Sequence, residues 1–302
     1  MKLAARLTLA GLVLVFAFTA VYVEAFHEPK PRGVDVAVVG PAPELDPQAF
    51  DAHRYASEAQ AREALLNTDV RGVFAGDRVL VASASGAVPA ETVAAAGGPR
   101  QVEDLRPLPP SDRRGLSPLF AVLGTLIPSL VFGVLLSVFG RRVPARVRWP
   151  AVVVFAAVAG LVTAFDVDVL VGALNGHFLG IALVTALLAL AVSAAAHGLG
   201  HLGGPIGIVT AVLLLLLVGV SSAGGAVTYQ FEPGFYGAVS QLLPPGAALT
   251  AVRNVQYFGW AGTLWPLLTL GAWAVGGVAL GLLGERVSSQ RFQEATGWRA
   301  QR

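Results

Sequence analysis

Ionisable residues that stand in or beside apolar segments are the ones in this chain that could carry chemistry. Asp166 and Asp168 lie close to the end of a long apolar stretch. Ionisable groups inside a membrane are costly and usually functional, which makes proton or ion coupling one interpretation of this pair. If the helix starts at Pro150, the pair lies about 24 Å along it by the helical rise and can reach water. The sequence leaves both interpretations open.

Two histidines, His197 and His201, are four residues apart in another apolar stretch and could share one face of a helix. A metal site needs further ligands, and none is near in sequence. The preferred interpretation is therefore that both histidines are polar residues at the membrane surface. Neither Lys2 nor Lys30 belongs to a glycine-rich phosphate loop. The sequence therefore predicts a protein that is not an enzyme and that uses no cofactor or metal.

The most distinctive stretch is 219–258, which contains most of the candidate functional or structural positions. Besides Asp166 and Asp168, these positions are Gly224, Gly225, Pro233, Pro244, Pro245, Arg253 and Tyr257. Residues 233–243 can form a short amphipathic helix, which the following proline pair stops. Non-helical backbone at membrane depth persists only where protein buries it or where it lines water. We therefore expect an interfacial or re-entrant hairpin over about 221–260.

Arg253 is the only positive charge in that stretch. A buried arginine without a carboxylate is strongly destabilising, whereas a planar guanidinium can bridge two acids at once. The expected partners are Glu232, Asp166 and Asp168. A role in locking the hairpin onto the membrane helices is favoured over substrate binding.

The composition is that of a membrane protein. Hydrophobic residues make up 55% of the chain and charged residues 13%, against about 25% charged in a typical soluble domain. Long apolar stretches predict six transmembrane helices, at 5–26, 117–139, 150–173, 178–199, 204–222 and 262–283. The expected fold class is an α-helical polytopic membrane protein with one helix, an α/β insert and five more helices. Its predicted units are an anchor (1–26), an extracytoplasmic domain (27–116), a five-helix membrane domain (117–284) and a tail (285–302).

The distribution of charge predicts the orientation. With the N-terminus inside, the inner segments hold ten of the 21 Lys and Arg residues but only Glu285 and Glu294 of the 19 acids. Because short basic loops stay in the cytoplasm, we expect a multi-pass protein of a bacterial plasma membrane with both termini cytoplasmic. Val23-Glu24-Ala25 could instead be a signal-peptide cleavage site, but the apolar run Leu7–Val23 exceeds the usual length of about 7–15 residues. A retained anchor is therefore preferred.

The insert reads as a small α/β unit without cysteine and thus without disulfides. We expect a strand at 34–39, a helix at 53–66 capped by Asp51, a hairpin of two strands at 71–75 and 79–83, and a second helix at 89–96. Residues 105–115 are proline-rich and predict an extended connector to the membrane. A unit of this kind binds or docks a partner more often than it catalyses a reaction.

Several motifs resemble those of the YhgE/Pip family, in the type-2 ABC permease group. In the stretch 219–258, the outer segment, they are Ser-Ser-x-Gly-Gly at 221–225, Pro-Gly-Phe-Tyr at 233–236, Leu243-Pro244 and the run from Ala248 through Arg253 to Tyr257. In the insert they are VDVAVVG, an Ala-rich helix and VEDLRPLPPSDRRGLS. The chain departs from longer members in its short insert and in Pro245-Gly246, where many have a Thr-Tyr-like pair.

The resemblance implies the same one-plus-five helix layout and a permease-like architecture. Its expected partners are the lipid bilayer, a second copy of the chain and a separate cytoplasmic ATPase, with no nucleic acid. No substrate carries over from the family. The alternative is a non-transporting surface protein whose outer domain senses, docks a partner or supports assembly of the cell envelope.

Overall fold

The computed structural model describes residues 2–27, 29–41, 43–225 and 228–296. Within these residues, four helices are long and apolar enough to cross a membrane: Ser117–Phe139, Ala145–Leu170, Phe178–Ser221 and Leu264–Val287. The N-terminal helix α1 (Lys2–Phe26) contains a shorter apolar run, Gly11–Ala25. A small mixed sheet lies between α1 and the first long helix. A mostly helical fold with a small mixed α/β insert is therefore confirmed, and four of its helices have the length and apolar composition of membrane spans.

The membrane part is built around one central helix. Helix α4 (Ser117–Phe139), helix α5 (Ala145–Ala164) and the long C-terminal helix α10 (Leu264–Thr296) all pack against α6 (Phe178–Val212). Fully buried side chains of α6 include Ile181, Val184 and Leu188. Helix α5 continues into a π-helical turn, Phe165–Leu170, and α6 into another, Leu213–Val218, followed by the short α7 (Gly219–Ser221).

The chain reverses direction inside the Phe178–Ser221 segment. Gly204 has φ 59° and ψ −137°, a conformation outside the helical region and one that glycine adopts readily. A Cβ added to Gly207 would lie 1.9 Å from the carbonyl oxygen of Leu199, although residues eight apart in a straight helix are separated by about 12 Å. The segment is thus two helices in a tight hairpin, as the predicted helices 178–199 and 204–222 require.

Glycines allow the neighbouring helices to approach α6 closely. A Cβ on Gly277 of α10 would lie 2.4 Å from the backbone nitrogen of Ala195, and one on Gly160 of α5 would lie 2.4 Å from the oxygen of Ala182. At such contacts the backbones of two helices pack directly against each other with no side chain between them, which is typical of membrane helices. Gly281 and Gly207 make similarly close contacts within the chain, whereas Gly203 has no neighbour within 4 Å.

At the opposite end from the sheet, a buried ion pair joins two of these helices. The guanidinium of Arg148, which is 3% exposed, pairs with Glu285 of α10 and also donates to the carbonyl of Gly140 at 3.2 Å. The pair fixes the start of α5 against the end of α4 and against α10. Burying Arg148 requires this partner, because an unpaired charge there would be strongly unfavourable.

The described part of the insert forms a five-stranded sheet of order β2-β1-β3-β4-β5. Its strands are β1 (Val34–Val39), β2 (Phe50–Arg54), β3 (Gly72–Ala75), β4 (Arg78–Val81) and β5 (Gln101–Asp104). All neighbours are parallel except the β3–β4 hairpin. Two further helices, α2 (Glu58–Leu66) and α3 (Ala87–Ala96), pack on the sheet.

Two features of the insert differ from the sequence prediction. Strands β2 and β5 were not expected, and Asp51 lies in β2, where it pairs with Asp35, instead of capping a helix. The N-cap is Ser57, whose hydroxyl accepts a hydrogen bond from the Gln60 nitrogen at 3.3 Å. Pairing with β1 satisfies the backbone groups on one side of residues 50–54, and this tertiary contact outweighs the local helical spacing.

Gly277 and its neighbour Gly276 provide a matched test of helix packing. We expect Gly277→Ala to lower the melting temperature (Tm) of the detergent-purified protein, because overpacking costs about 1–3 kcal/mol and the backbone of Ala195 cannot yield. Gly276→Ala should leave Tm unchanged or raise it, since no atom lies within 4 Å of the added carbon. Equal Tm values for the two variants would contradict this account of the α6–α10 contact.

Candidate functional site

The outer segment folds into two helices, of which the second is buried. Helix α8 (Gly234–Ser240) is followed by α9 (Pro244–Phe258), and twelve of the fifteen residues of α9 are buried. Helix α9 contacts α4, α6 and α10. It is therefore part of the protein core and not a surface helix.

The link between α8 and α9 lies alongside α10, well past its first turn. The indole nitrogen of Trp273 donates to the carbonyl of Leu242 at 2.8 Å, and the Thr269 hydroxyl donates to that of Gln241 at 3.1 Å. Trp273 is nine residues into α10, about 13 Å by the helical rise. At the other end of α9, Val255 packs against Gly180, near the start of α6. These contacts have the course expected of a re-entrant segment.

The prolines begin helices in this segment. Pro233 precedes α8 as its N-cap, and Pro244 and Pro245 occupy the first positions of α9, where a missing N–H has no consequence. Helix α8 has already ended at Ser240, so the proline pair does not stop it as the sequence suggested. Gly246 is needed at this point, because a Cβ there would lie 2.2 Å from the carbonyl oxygen of Ser240.

Arg253 points from α9 into the junction with the insert and is only 8% exposed. Its Nη2 donates to the carbonyl of Gly225 at 2.5 Å. No ion pair joins Arg253 to a carboxylate in the part of the chain that the structure describes. The predicted partners Glu232, Asp166 and Asp168 are therefore wrong.

Two of those three acids form local contacts instead. Asp168 accepts from the backbone nitrogen of Gly176 at 3.1 Å, which closes the loop after α5, and Asp166 is exposed. Glu232 is 1% exposed and accepts from the nitrogen of Gly224, which has φ 79°, at 3.1 Å. Its other oxygen is buried without a hydrogen-bond partner among the described residues. Burial raises the pKa of Glu232 to about 8, against the weaker opposing effect of the Gly224 bond.

Tyr257 and Asp112 join α9 to the start of α4. The Tyr257 hydroxyl donates to Asp112 at 3.2 Å, and the same carboxylate accepts from the nitrogens of Leu116 and Ser117 at 3.1 and 3.2 Å. Burial, followed by the charge of Asp112, raises the pKa of Tyr257. The sequence analysis missed Asp112 because it lies in the predicted connector. An aspartate shortly before a helix was the available signal, since such residues satisfy free N–H groups.

Arg253 lines a small recess between the insert and the membrane part. Helix α9 contributes Arg253, Thr250 and Asn254 to the recess. The remaining lining residues are Arg71 and Ser85 from the insert, and Ala223, Thr228 and Tyr229 from the outer segment. Burial and the nearby charge of Arg71 lower the pKa of Arg253 to about 10. The Thr228 hydroxyl is buried without a hydrogen-bond partner among the described residues.

The geometry gives no support for a metal at the histidines. The rings of His197 and His201 are 5.4 Å apart, and they belong to no group of three potential ligands among the described residues. One such group lies on the sheet, where Asp35, Asp51 and His53 offer ligand atoms within 4.8 Å of one another. These side chains are largely exposed, and His53 already bonds to Asp35 at 3.0 Å. Sequence reasoning missed this cluster because it depends on the pairing of β1 with β2.

No protein-family model matches this chain, and no curated protein or solved structure is significantly similar to it. The resemblance to the YhgE/Pip family therefore stays a prediction from the motifs quoted above. What the chain can do must be argued from its own geometry.

Glu232 predicts a pH dependence of stability. Its folded pKa, about 8, is above the ordinary value of 4.5, so between these values the folded state binds more protons than the unfolded state and stability falls as pH rises. We expect the Tm advantage of the wild type over Glu232→Gln to shrink between pH 5 and pH 8 and then to level off. The measurement is Tm of both proteins across this range. A difference that stays constant with pH would show that Glu232 is not protonated in the folded protein.

Proposed function

We propose that this chain is a permease-like integral membrane protein, the membrane subunit of an exporter that relies on a separate ATPase. The observation that carries the proposal is the burial of α9 between the membrane helices and the insert. A domain that only needs to be held at the membrane requires one helix. Here the membrane part reaches into the insert through a buried helix, an arrangement suited to moving both parts together.

Aromatic side chains from the outer segment make this connection on both faces of the sheet. Phe231 packs with Phe74 and Val93 on one face, and Phe258, the last residue of α9, packs with Leu65 and Leu80 on the other. Burying such side chains contributes about 1.5–3 kcal/mol each. A displacement of α9 would therefore be transmitted directly to the sheet.

Hydrogen bonds also join the insert to the outer segment and fix their relative position. The nitrogens of Lys30 and Arg32 donate to the carbonyls of Phe231 and Gln230 at 3.1 and 2.9 Å. The Arg32 guanidinium also donates to the carbonyl of Glu232 at 2.7 Å. The start of the insert is thus bonded to the outer segment before the first strand begins.

Six membrane crossings are part of this proposal. The hairpin at Gly204 divides the longest apolar helical segment in two, which gives five crossings after the insert. Helix α1, with 25 residues, supplies the sixth and is about 37 Å long. An even number of crossings puts both termini on the same side, which the basic inner segments make the cytoplasmic one.

Single cysteines in this cysteine-free chain test the topology. Asp77→Cys, at the exposed β3–β4 turn, should react with an impermeant thiol reagent in intact cells. Val143→Cys, between α4 and α5, and Leu202→Cys, beside the turn at Gly204, replace exposed residues on the predicted inner side. Both should react only after permeabilisation. If Leu202→Cys stays unlabelled in both conditions, the hairpin lies within the membrane and the six-crossing count fails.

Association with an ATPase tests the function. We expect a nucleotide-binding subunit to co-purify with the tagged protein from its native cells, and ATP to be hydrolysed by the complex. The double change Arg142→Ala with Arg146→Ala, at exposed positions between the end of α4 and the first turn of α5, should weaken this association. Arg54→Ala with Arg106→Ala removes the same charge from exposed positions of the insert and should not. If no such subunit is recovered even after cross-linking, the surface-protein alternative becomes the better account.

A further inference from the structure

We propose that the recess between Arg71 and Arg253 binds a small inorganic anion of chloride size, which joins the insert to α9. The recess lies where three parts of the chain meet: the sheet unit, the outer segment and the buried helix. An anion in this place would contact all three parts. The proposal does not depend on whether the protein transports anything.

The charges around the recess are unbalanced. Arg253 is almost fully buried and has only the carbonyl of Gly225 as a described hydrogen-bond partner. Arg71, half-buried, makes no side-chain hydrogen bond or ion pair with a described residue. Asp112 is near enough to affect Arg253 but is already bonded to Tyr257 and to the start of α4. Two buried or half-buried cations with no carboxylate bonded to either of them are unfavourable unless a counter-ion joins them.

The other polar groups of the recess suit an anion. The Thr228 hydroxyl is buried and lacks a partner among the described residues, so it is free to donate. Guanidinium groups offer only donors, and a hydroxyl can orient its hydrogen toward any acceptor. The two guanidinium groups and the Thr228 hydroxyl therefore all offer hydrogen-bond donors among the residues that line the recess.

The size of the recess decides which anion fits. It offers about 20 Å³ to the centre of a water-sized particle, and one such particle needs about 10–15 Å³. A chloride ion is only a little larger than a water molecule. Phosphate, sulfate and a lipid headgroup carry several oxygens around a central atom and need more space. The geometry therefore points to a monatomic anion.

Thermal stability in different salts tests the proposal on the whole protein. At equal ionic strength, Tm should rise saturably with sodium chloride or bromide compared with sodium gluconate, whose anion is too large. At a chloride concentration 100 times Kd the ratio of folded to unfolded protein should increase roughly 100-fold. Equal Tm in chloride and gluconate would overturn the proposal. A response to phosphate but not to chloride would overturn it as well.

Arg71→Gln separates anion binding from general salt effects. In gluconate this variant should be at least as stable as the wild type, because it removes a like charge from beside Arg253. In chloride the Tm of this variant should rise little, so that any advantage it has over the wild type narrows or reverses. Arg106→Gln is the matched control, an exposed arginine of the same unit that does not line the recess, and it should keep the wild-type response. A full chloride response in Arg71→Gln would refute the assignment.

Bromide gives a direct position. In crystals grown with sodium bromide, an anomalous peak should appear between Arg71, Thr228 and Arg253. Bromide peaks confined to the exposed surface, with none in the recess, would contradict the site even if Tm depends on chloride.

Discussion

The burial of α9 is the constraint on which the rest of the structure depends. A helix surrounded by protein on nearly all sides must have small side chains where its neighbours are closest. Gly246, Ala247, Ala248 and Ala251 supply them and are fully buried or nearly so. Such residues let backbones approach, which is how helices associate in a membrane. Removing α9 would expose the outer ends of α4, α6 and α10 and would take Phe258 out of the sheet unit.

Apolar contacts hold the insert and the membrane part together, whereas polar contacts fix their relative position. Phe231 and Phe258 bury area, but burial has little directional preference. The Asp112 carboxylate provides direction, because it meets the first N–H groups of α4 and the Tyr257 hydroxyl at the same time. The connector, the adjacent start of α4 and the distant helix α9 therefore share one set of hydrogen bonds. This explains why the proline-rich connector ends at a defined position.

The sequence predicted the elements that long apolar runs specify and failed where distant residues decide. The helices at 117–139 and 178–199 and the reversal near 204 follow from uninterrupted hydrophobicity and from glycine and proline. Strand β2 could not be predicted, because four of its five residues are exposed and only its pairing with β1 makes it a strand. The surroundings of Arg253 could not be predicted either. They come from Arg71 and Thr228, which no spacing rule connects to α9.

A junction with two arginines is less stable than an apolar junction of the same size, and this difference has a consequence for function. If the junction had only to be rigid, apolar side chains in place of Arg71 and Arg253 would serve better, since buried charges seldom add net stability. The aromatic contacts already supply the attraction. The two arginines make the strength of the junction depend on a bound counter-ion, because the repulsion between them changes whenever a counter-charge enters or leaves. A permease-like protein in which α9 transmits movement has a use for such a contact, whose strength depends on what lies between the two cations.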